Sequence, residues 1–155
     1  MNLINRFIKN LNPYKVASHA IWEVEAQKRE EILKLDWNEA TIPPSPKVKE
    51  ELLRVINDEM LFAYYPSTHN SELLSALSNY AKVEKEQIQY FASSDAAHQY
   101  LVKLLLKEGE NVLVLGPTYD NFRLTCEAQG AEVHYFNYSR EFELDATGFD
   151  SSIKE

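Results

Sequence analysis

From Gln87 onward the apolar residues alternate between short continuous runs and helically spaced stripes, and this alternation restricts the fold more than any other feature of the chain. Residues 88–91, 112–115 and 133–138 read as strands, and residues 95–107 and 119–129 as helices stopped by Gly109 and Gly130, where a left-handed residue ends the helical hydrogen-bond run. In the first helix Ala97, Tyr100, Leu101, Leu104 and Leu105 form the expected inward face. Strands separated by helices of this length cannot pair through hairpins. They imply βαβ units, and therefore a three-stranded parallel βαβαβ unit in an α/β fold.

The preceding segments are helical in pattern. Leu3, Ile4, Phe7, Ile8 and Leu11 share one face over residues 2–11, and a second amphipathic stretch covers residues 16–31. A strand is expected at 32–37. The run NEATIPPSP then forbids a helix or central strand, because Pro43, Pro44 and Pro46 lack amide donors. Ser45 and Pro46 suit an N-cap and first helical residue, so a helix over 46–57 follows, with Val48, Leu52, Val55 and Ile56 on one face. Asn70 or Ser71 caps a further helix striped by Leu73, Leu74, Leu77, Tyr80 and Ala81. The expected organisation is a helical arm over 1–31, loop and helices over 32–86, and a partial α/β domain over 87–155.

Composition excludes several function classes. A net charge of −8 without a basic stripe lacks the footprint of a nucleic-acid binder. Cys126 is the single cysteine, so no disulfide framework is possible, and with no secretory leader pattern the expected address is cytoplasmic. No apolar run reaches the roughly 18 residues of a membrane span. The four histidines have no metal-ligand spacing, and no metal is expected. Neither GxGxxG nor GxxxxGK[ST] occurs, and neither Ser93 nor Ser94 sits in a GxSxG elbow.

In a parallel α/β sheet, ligands bind beyond the carboxyl ends of the strands, against helix N-termini with free N–H groups. Ser93, Ser94, Asp95 and Ala96 fall at such a point, and their amides and hydroxyls suit a phosphate. Read alone, the same residues are also an ordinary N-cap. Tyr119, after Pro117 and Thr118, sits at the same edge, where its ring suits stacking on a flat heterocycle or simple core packing.

Taken in order, these features resemble the N-terminal part of class I/II, fold type I, pyridoxal-phosphate-dependent aminotransferases. The histidinol-phosphate aminotransferase branch is the most similar. NEATIPPSP matches the family's Asn-Glu-Asn-Pro-Tyr-Gly-Pro-Ser-Pro, and Tyr64, Tyr65 and Pro66 match its Arg-Tyr-Pro. Ser93 to Ala96 match its Gly-Ser-Asp-Glu turn, residues 117–119 its Pro-Thr-Tyr, and Gly130 to Val133 its Gly-Ala-Glu-Val. The resemblance implies that Ser94, Asp95 and Ala96 hold the phosphate of pyridoxal 5'-phosphate, and that Tyr119 stacks on its ring. It further implies that Tyr65 reaches the neighbouring subunit of a homodimer, and that Asn38 lies in a loop closing over substrate. The reaction implied is amino-group transfer between a small-molecule amino donor and a 2-oxo acid.

The match has departures. Ala40, Thr41, Ile42 and Pro43 stand where the family has Asn, Pro, Tyr and Gly, so the loop tyrosine that grips an imidazole-bearing substrate has no counterpart. The Schiff-base lysine and the aspartate facing the ring nitrogen belong to a part of the family pattern that these 155 residues do not reach. The expectation is therefore the front portion of the fold, without its C-terminal half and inactive alone. The competing reading is a non-catalytic α/β binding or oligomerisation module derived from that fold.

Overall fold

The computed structural model describes residues 4–14, 23–33, 35, 37–40, 42–58, 60–67 and 69–153. The chain divides into two compact units, one of Val16–Ile88 and one of Met1–Lys15 with Gln89–Glu155.

The Val16–Ile88 unit holds helices α1 (Pro46–Ile56) and α2 (Ser71–Ala81). Pro46 takes the first helical position of α1, where a missing N–H costs nothing, although the Ser45 side chain accepts no capping bond. Asn70 caps α2 by accepting the Leu73 amide at 3.0 Å. The helix stops at Lys82, whose left-handed backbone (φ 59°) lets its amide donate to the Ser78 carbonyl at 2.8 Å. α2 packs on a 3-10 turn at Lys85–Gln87. Neither α1 nor α2 carries a fully buried residue.

Two expectations in this unit need correction. No strand forms over 32–37 among the described residues. Leu33 and Leu35 are exposed, and Trp37 and Asn38 both adopt positive φ (59° and 51°), which ends any extended run. A local apolar run is not a strand until another strand pairs with its backbone groups. Of the amphipathic stretch at 16–31, Ala26–Glu31 forms a 3-10 helix, and residues 16–22 lie outside the described residues.

The other unit contains α3 (Ser94–Leu105), β1 (Asn111–Gly116), α4 (Asn121–Gln129), β2 (Glu132–Asn137) and α5 (Ala146–Ser152). β1 and β2 pair in parallel, in register from Asn111 opposite Glu132 to Gly116 opposite Asn137. With α4 between them they make the βαβ unit read from the sequence. α3 packs on α4, and Val102, Cys126 and Ala131 form the buried centre, ringed by Leu106, Val112, Phe122 and Val133. Gly130 ends α4 with φ 92°, and a Cβ there would meet the Phe7 ring at 2.8 Å. Both its conformation and this close approach therefore require glycine. Asp145 caps α5 by accepting the Gly148 amide at 3.0 Å, and Phe149 sets its ring against Phe136 at 5.6 Å.

Here too the structure differs from the pattern. Among the described residues the sheet has two strands, and residues 88–91 hold no place in it. Residues 4–11 form successive turns rather than a helix, with Ile8 donating to the Asn5 carbonyl and Leu11 to that of Ile8. α3 ends at Leu105, before the expected Lys107, because Leu106 is already extended. Gly109 (φ 80°) instead shapes the turn into β1, where its amide donates to the Gly130 carbonyl at 2.8 Å. The inward face of α3 carries His98 and Val102, followed by Leu106 just past its end, whereas Leu104 and Leu105 are 77% and 71% exposed and Tyr100 and Leu101 are also exposed. The helix carries two apolar stripes. Periodicity cannot tell which one α4 and the sheet will cover.

Candidate functional site

α3 begins within hydrogen-bonding reach of the turn that follows β1. Ser93 is extended and serves as the N-cap: its Oγ accepts the Ala96 amide at 3.2 Å, and its carbonyl accepts the Ala97 amide at 3.1 Å. Among the described residues, the amides of Ser94 and Asp95 have no acceptor. Two free N–H groups at the positive end of a 12-residue helix have the chemistry to donate to an anion.

Gly116 closes β1, and the chain continues through Pro117 and Thr118 to Tyr119. A Cβ at Gly116 would meet Asn137 Oδ1 at 2.5 Å, so a side chain there would displace the Asn137 amide. The Tyr119 ring is 50% exposed and stands edge-on to Tyr14, with centroids 5.8 Å apart. Its hydroxyl donates to Asp95 Oδ2 at 3.4 Å. Desolvation, and then the neighbouring Asp95 carboxylate, raise the Tyr119 pKa above the ordinary tyrosine value, so the phenol stays protonated. The Asp95 carboxylate turns toward Tyr119 and leaves its backbone amide free.

Below Asp95 on the same face of α3, His98 packs edge-on against Phe122 at 5.1 Å. Asp95 Oδ1 and His98 Nδ1 are both buried without a hydrogen-bond partner. Cys126 is fully buried, and desolvation pushes its thiol up to about 11, which makes it inert as a nucleophile.

The structure thus brings Ser94, Asp95, Ala96 and Tyr119 together. It engages Ala96 differently from the expectation, since that amide already donates to Ser93 Oγ. Tyr65 and Asn38 belong to the other unit. Tyr65 is 99% exposed there, and Asn38 sits in left-handed backbone next to Trp37.

Sequence reasoning missed Tyr14 and a charged cluster around Arg123. Arg123 donates through Nε to Asp120 Oδ1 and through Nη1 to Glu127 Oε2, both at 2.7 Å. The spacings of three and four residues on one helix were the available signal.

The aminotransferase class I and II family model matches residues 30–155. The chain belongs to this aminotransferase family. Relatives of the family chain include a dihydroxyacetone phosphate transaminase of Campylobacter jejuni, 36% identical over 152 residues that cover 97% of this chain and 40% of that protein. A histidinol-phosphate aminotransferase of Methanocaldococcus jannaschii is 28% identical over 161 residues, covering 99% and 42%. Two solved structures share the fold. Histidinol-phosphate aminotransferase from Sinorhizobium meliloti, in complex with pyridoxal-5'-phosphate, superposes with a TM-score of 0.68 at 20% identity, over 97% of this chain and 40% of that one. Apo-BacF from Bacillus subtilis gives 0.71 at 18% identity, over 99% and 39%. This aminotransferase-family chain is an N-terminal part of the fold type I architecture, and it spans about 40% of the length of the relatives it matches.

Proposed function

We propose that this chain supplies the phosphate-binding and ring-stacking part of a pyridoxal-phosphate-dependent aminotransferase. One observation carries the reading: the free amides of Ser94 and Asp95 open beside the half-exposed ring of Tyr119 at the carboxyl end of β1. The residues fit the cofactor. Two N–H donors, the Ser94 hydroxyl and the helix dipole suit a phosphate dianion, and an aromatic face suits a pyridine ring.

When bound, pyridoxal phosphate supplies the electron sink that amino-group transfer needs. The chain's own residues bind and orient. Ser94 and Asp95 fix the phosphate end through their amides, and Tyr119 fixes the plane of the ring, with the Asp95 carboxylate accepting a hydrogen bond from its hydroxyl. Ala96 contributes its amide if the Ser93 cap opens. Tyr65 serves a neighbouring subunit in a homodimer, supported by its full exposure, and Asn38 contributes to the loop over the substrate. Lys103 lies in the last turn of α3 and Lys107 beyond it, far along the helix from these amides, so the described cradle holds a cofactor without moving protons. Because dihydroxyacetone phosphate and histidinol phosphate are both phosphate esters, we read the substrate as a small phosphate ester, exchanged against an amino acid and its 2-oxo acid.

Titrating the protein with pyridoxal 5'-phosphate, followed by absorbance and intrinsic fluorescence, tests the reading. Saturable binding that inorganic phosphate competes away is expected, and Tyr119→Ala should weaken it by about 0.5 to 1.5 kcal/mol, the value of an aromatic pair. Binding that ignores both phosphate and the Tyr119 change would reject the site.

A further inference from the structure

Asp120 occupies the N-cap position of α4, yet its side chain caps nothing. Its carboxylate is spent elsewhere. Oδ1 accepts Arg123 Nε at 2.7 Å and the Tyr135 hydroxyl at 2.9 Å, while Oδ2 accepts Arg123 Nη2 at 2.5 Å. The same guanidinium reaches Glu127 through Nη1, and its Nη2 reaches the Asn12 carbonyl at 3.3 Å. The Arg123 side chain is 11% exposed. Arg123 and Asp120 together therefore tie the start of α4 to the middle of β2, through the Tyr135 hydroxyl, and to the N-terminal segment, through the Asn12 carbonyl.

The location of this hub matters more than its strength. Asp120 is the residue after Tyr119, and Asn12 lies two residues before Tyr14, whose ring edge meets the Tyr119 ring. Of the restraints on Tyr119, the hydroxyl bond to Asp95 is long at 3.4 Å, whereas the bonds that fix Asp120 are shorter, 2.7 Å from the little-exposed Arg123 and 2.9 Å from the Tyr135 hydroxyl. The main restraint on the ring thus comes from the backbone side.

We propose that Arg123 is a positioning residue: through Asp120 and Asn12 it sets the plane of Tyr119 over the N-terminus of α3. The proposal rests on the cofactor reading for its purpose, though its geometry stands without it. Arg123 touches no ligand in this account. It acts by keeping the ring from rotating away from the amides of Ser94 and Asp95. Lysine keeps the charge but cannot satisfy Asp120 in two directions and still reach Asn12.

The test compares wild type with Arg123→Lys in the purified protein, using two readouts. The first is the ratio of affinities for pyridoxal 5'-phosphate and for inorganic phosphate. Arg123→Lys should weaken pyridoxal 5'-phosphate binding by about tenfold, as for a lost ion-pair geometry, and leave the affinity for inorganic phosphate within about twofold, so that the ratio falls. The second needs no cofactor: 3-fluorotyrosine placed at position 119 should give one resolved fluorine resonance in wild type. In Arg123→Lys that resonance should move toward its unfolded position, and in Tyr135→Phe it should shift less, in the same direction. Val102→Ala, which loosens the core without touching the hub, should lower the melting temperature while leaving the ratio and the resonance in place.

If wild type binds no pyridoxal 5'-phosphate but the resonance still responds to Arg123→Lys, the positioning role stands and the cofactor reading fails. If the resonance and the ratio are both unchanged by Arg123→Lys, or Val102→Ala moves them equally, the positioning role is overturned.

Discussion

The two units of this chain have equally clear amphipathic helices and very different interiors. In the Gln89–Glu155 segment, α4 packs on the parallel strand pair and α3 on α4, and Val102, Cys126 and Ala131 are enclosed among them. In the Val16–Ile88 unit, α1 and α2 have orderly ends and no fully buried side chain. The contrast separates two things that a hydrophobic stripe is often taken to mean together. A stripe at helical spacing specifies a helix, whereas burial needs a second surface, and only the strand pair supplies one here.

The largest effect expected from this difference is at Gly130. Gly130→Val must adopt φ near 92° and meet the Phe7 ring, so it should destabilise the sheet-bearing unit by about 3 kcal/mol or more. Denaturant unfolding followed by circular dichroism checks this, and a loss under 1 kcal/mol, roughly the ordinary cost of a surface change, would mean that the Phe7 contact does not form.

Next in size is a matched pair of truncations. Val102→Ala removes a buried branch from the core and should cost about 1.5 to 2.5 kcal/mol, while Leu53→Ala on α1 should stay within about 0.5 kcal/mol. Equal costs at the two positions would erase the contrast between the units.

The smallest effect concerns pH. Hydrogen bonding from Arg123 holds the Asp120 carboxyl below its ordinary value, against some opposing desolvation. A depressed folded-state carboxyl adds stability that is fully present above the unfolded value, about 3.9, and is lost as the pH falls through the folded value. Acid should therefore loosen the β1–α4–β2 unit through this pair, and Asp120→Asn should flatten that part of the stability curve. Glu51 in α1 is lowered in the same way by Arg54, but that pair is exposed, and Glu51→Gln should leave the acid limb unchanged.

The same contrast explains what the sequence could disclose. β1, α4, β2, the Asn70 cap and the Gly130 stop were legible because each depends on neighbours a few residues away. The runs at 32–37 and 88–91 look like strands by the same local rule, yet pairing is not local, and among the described residues neither finds a partner in the sheet. The inward face of α3 failed for a related reason: Leu104 and Leu105 are as apolar as Val102 and Leu106, and only the position of α4 decides between them. At the candidate site the turn at residues 93–96 that opens α3, and Tyr119 after β1, were legible as motifs. The diversion of Asp120 from capping to Arg123 and Tyr135 was not, because Tyr135 comes from β2 and Asn12 from the far end of the sequence.

The central claim is that free backbone amides at the start of α3 receive a phosphate, and Ser94→Pro tests it most directly. Ser94 is the first helical residue and follows an extended Ser93, so proline fits there without harming the helix while deleting one of the two free N–H groups. Calorimetric titration with pyridoxal 5'-phosphate should show roughly 10- to 100-fold weaker binding for Ser94→Pro, the value of a charge-assisted bond, and a smaller loss for Ser94→Ala, which removes only the hydroxyl. Wild-type affinity in a folded Ser94→Pro protein would contradict the account.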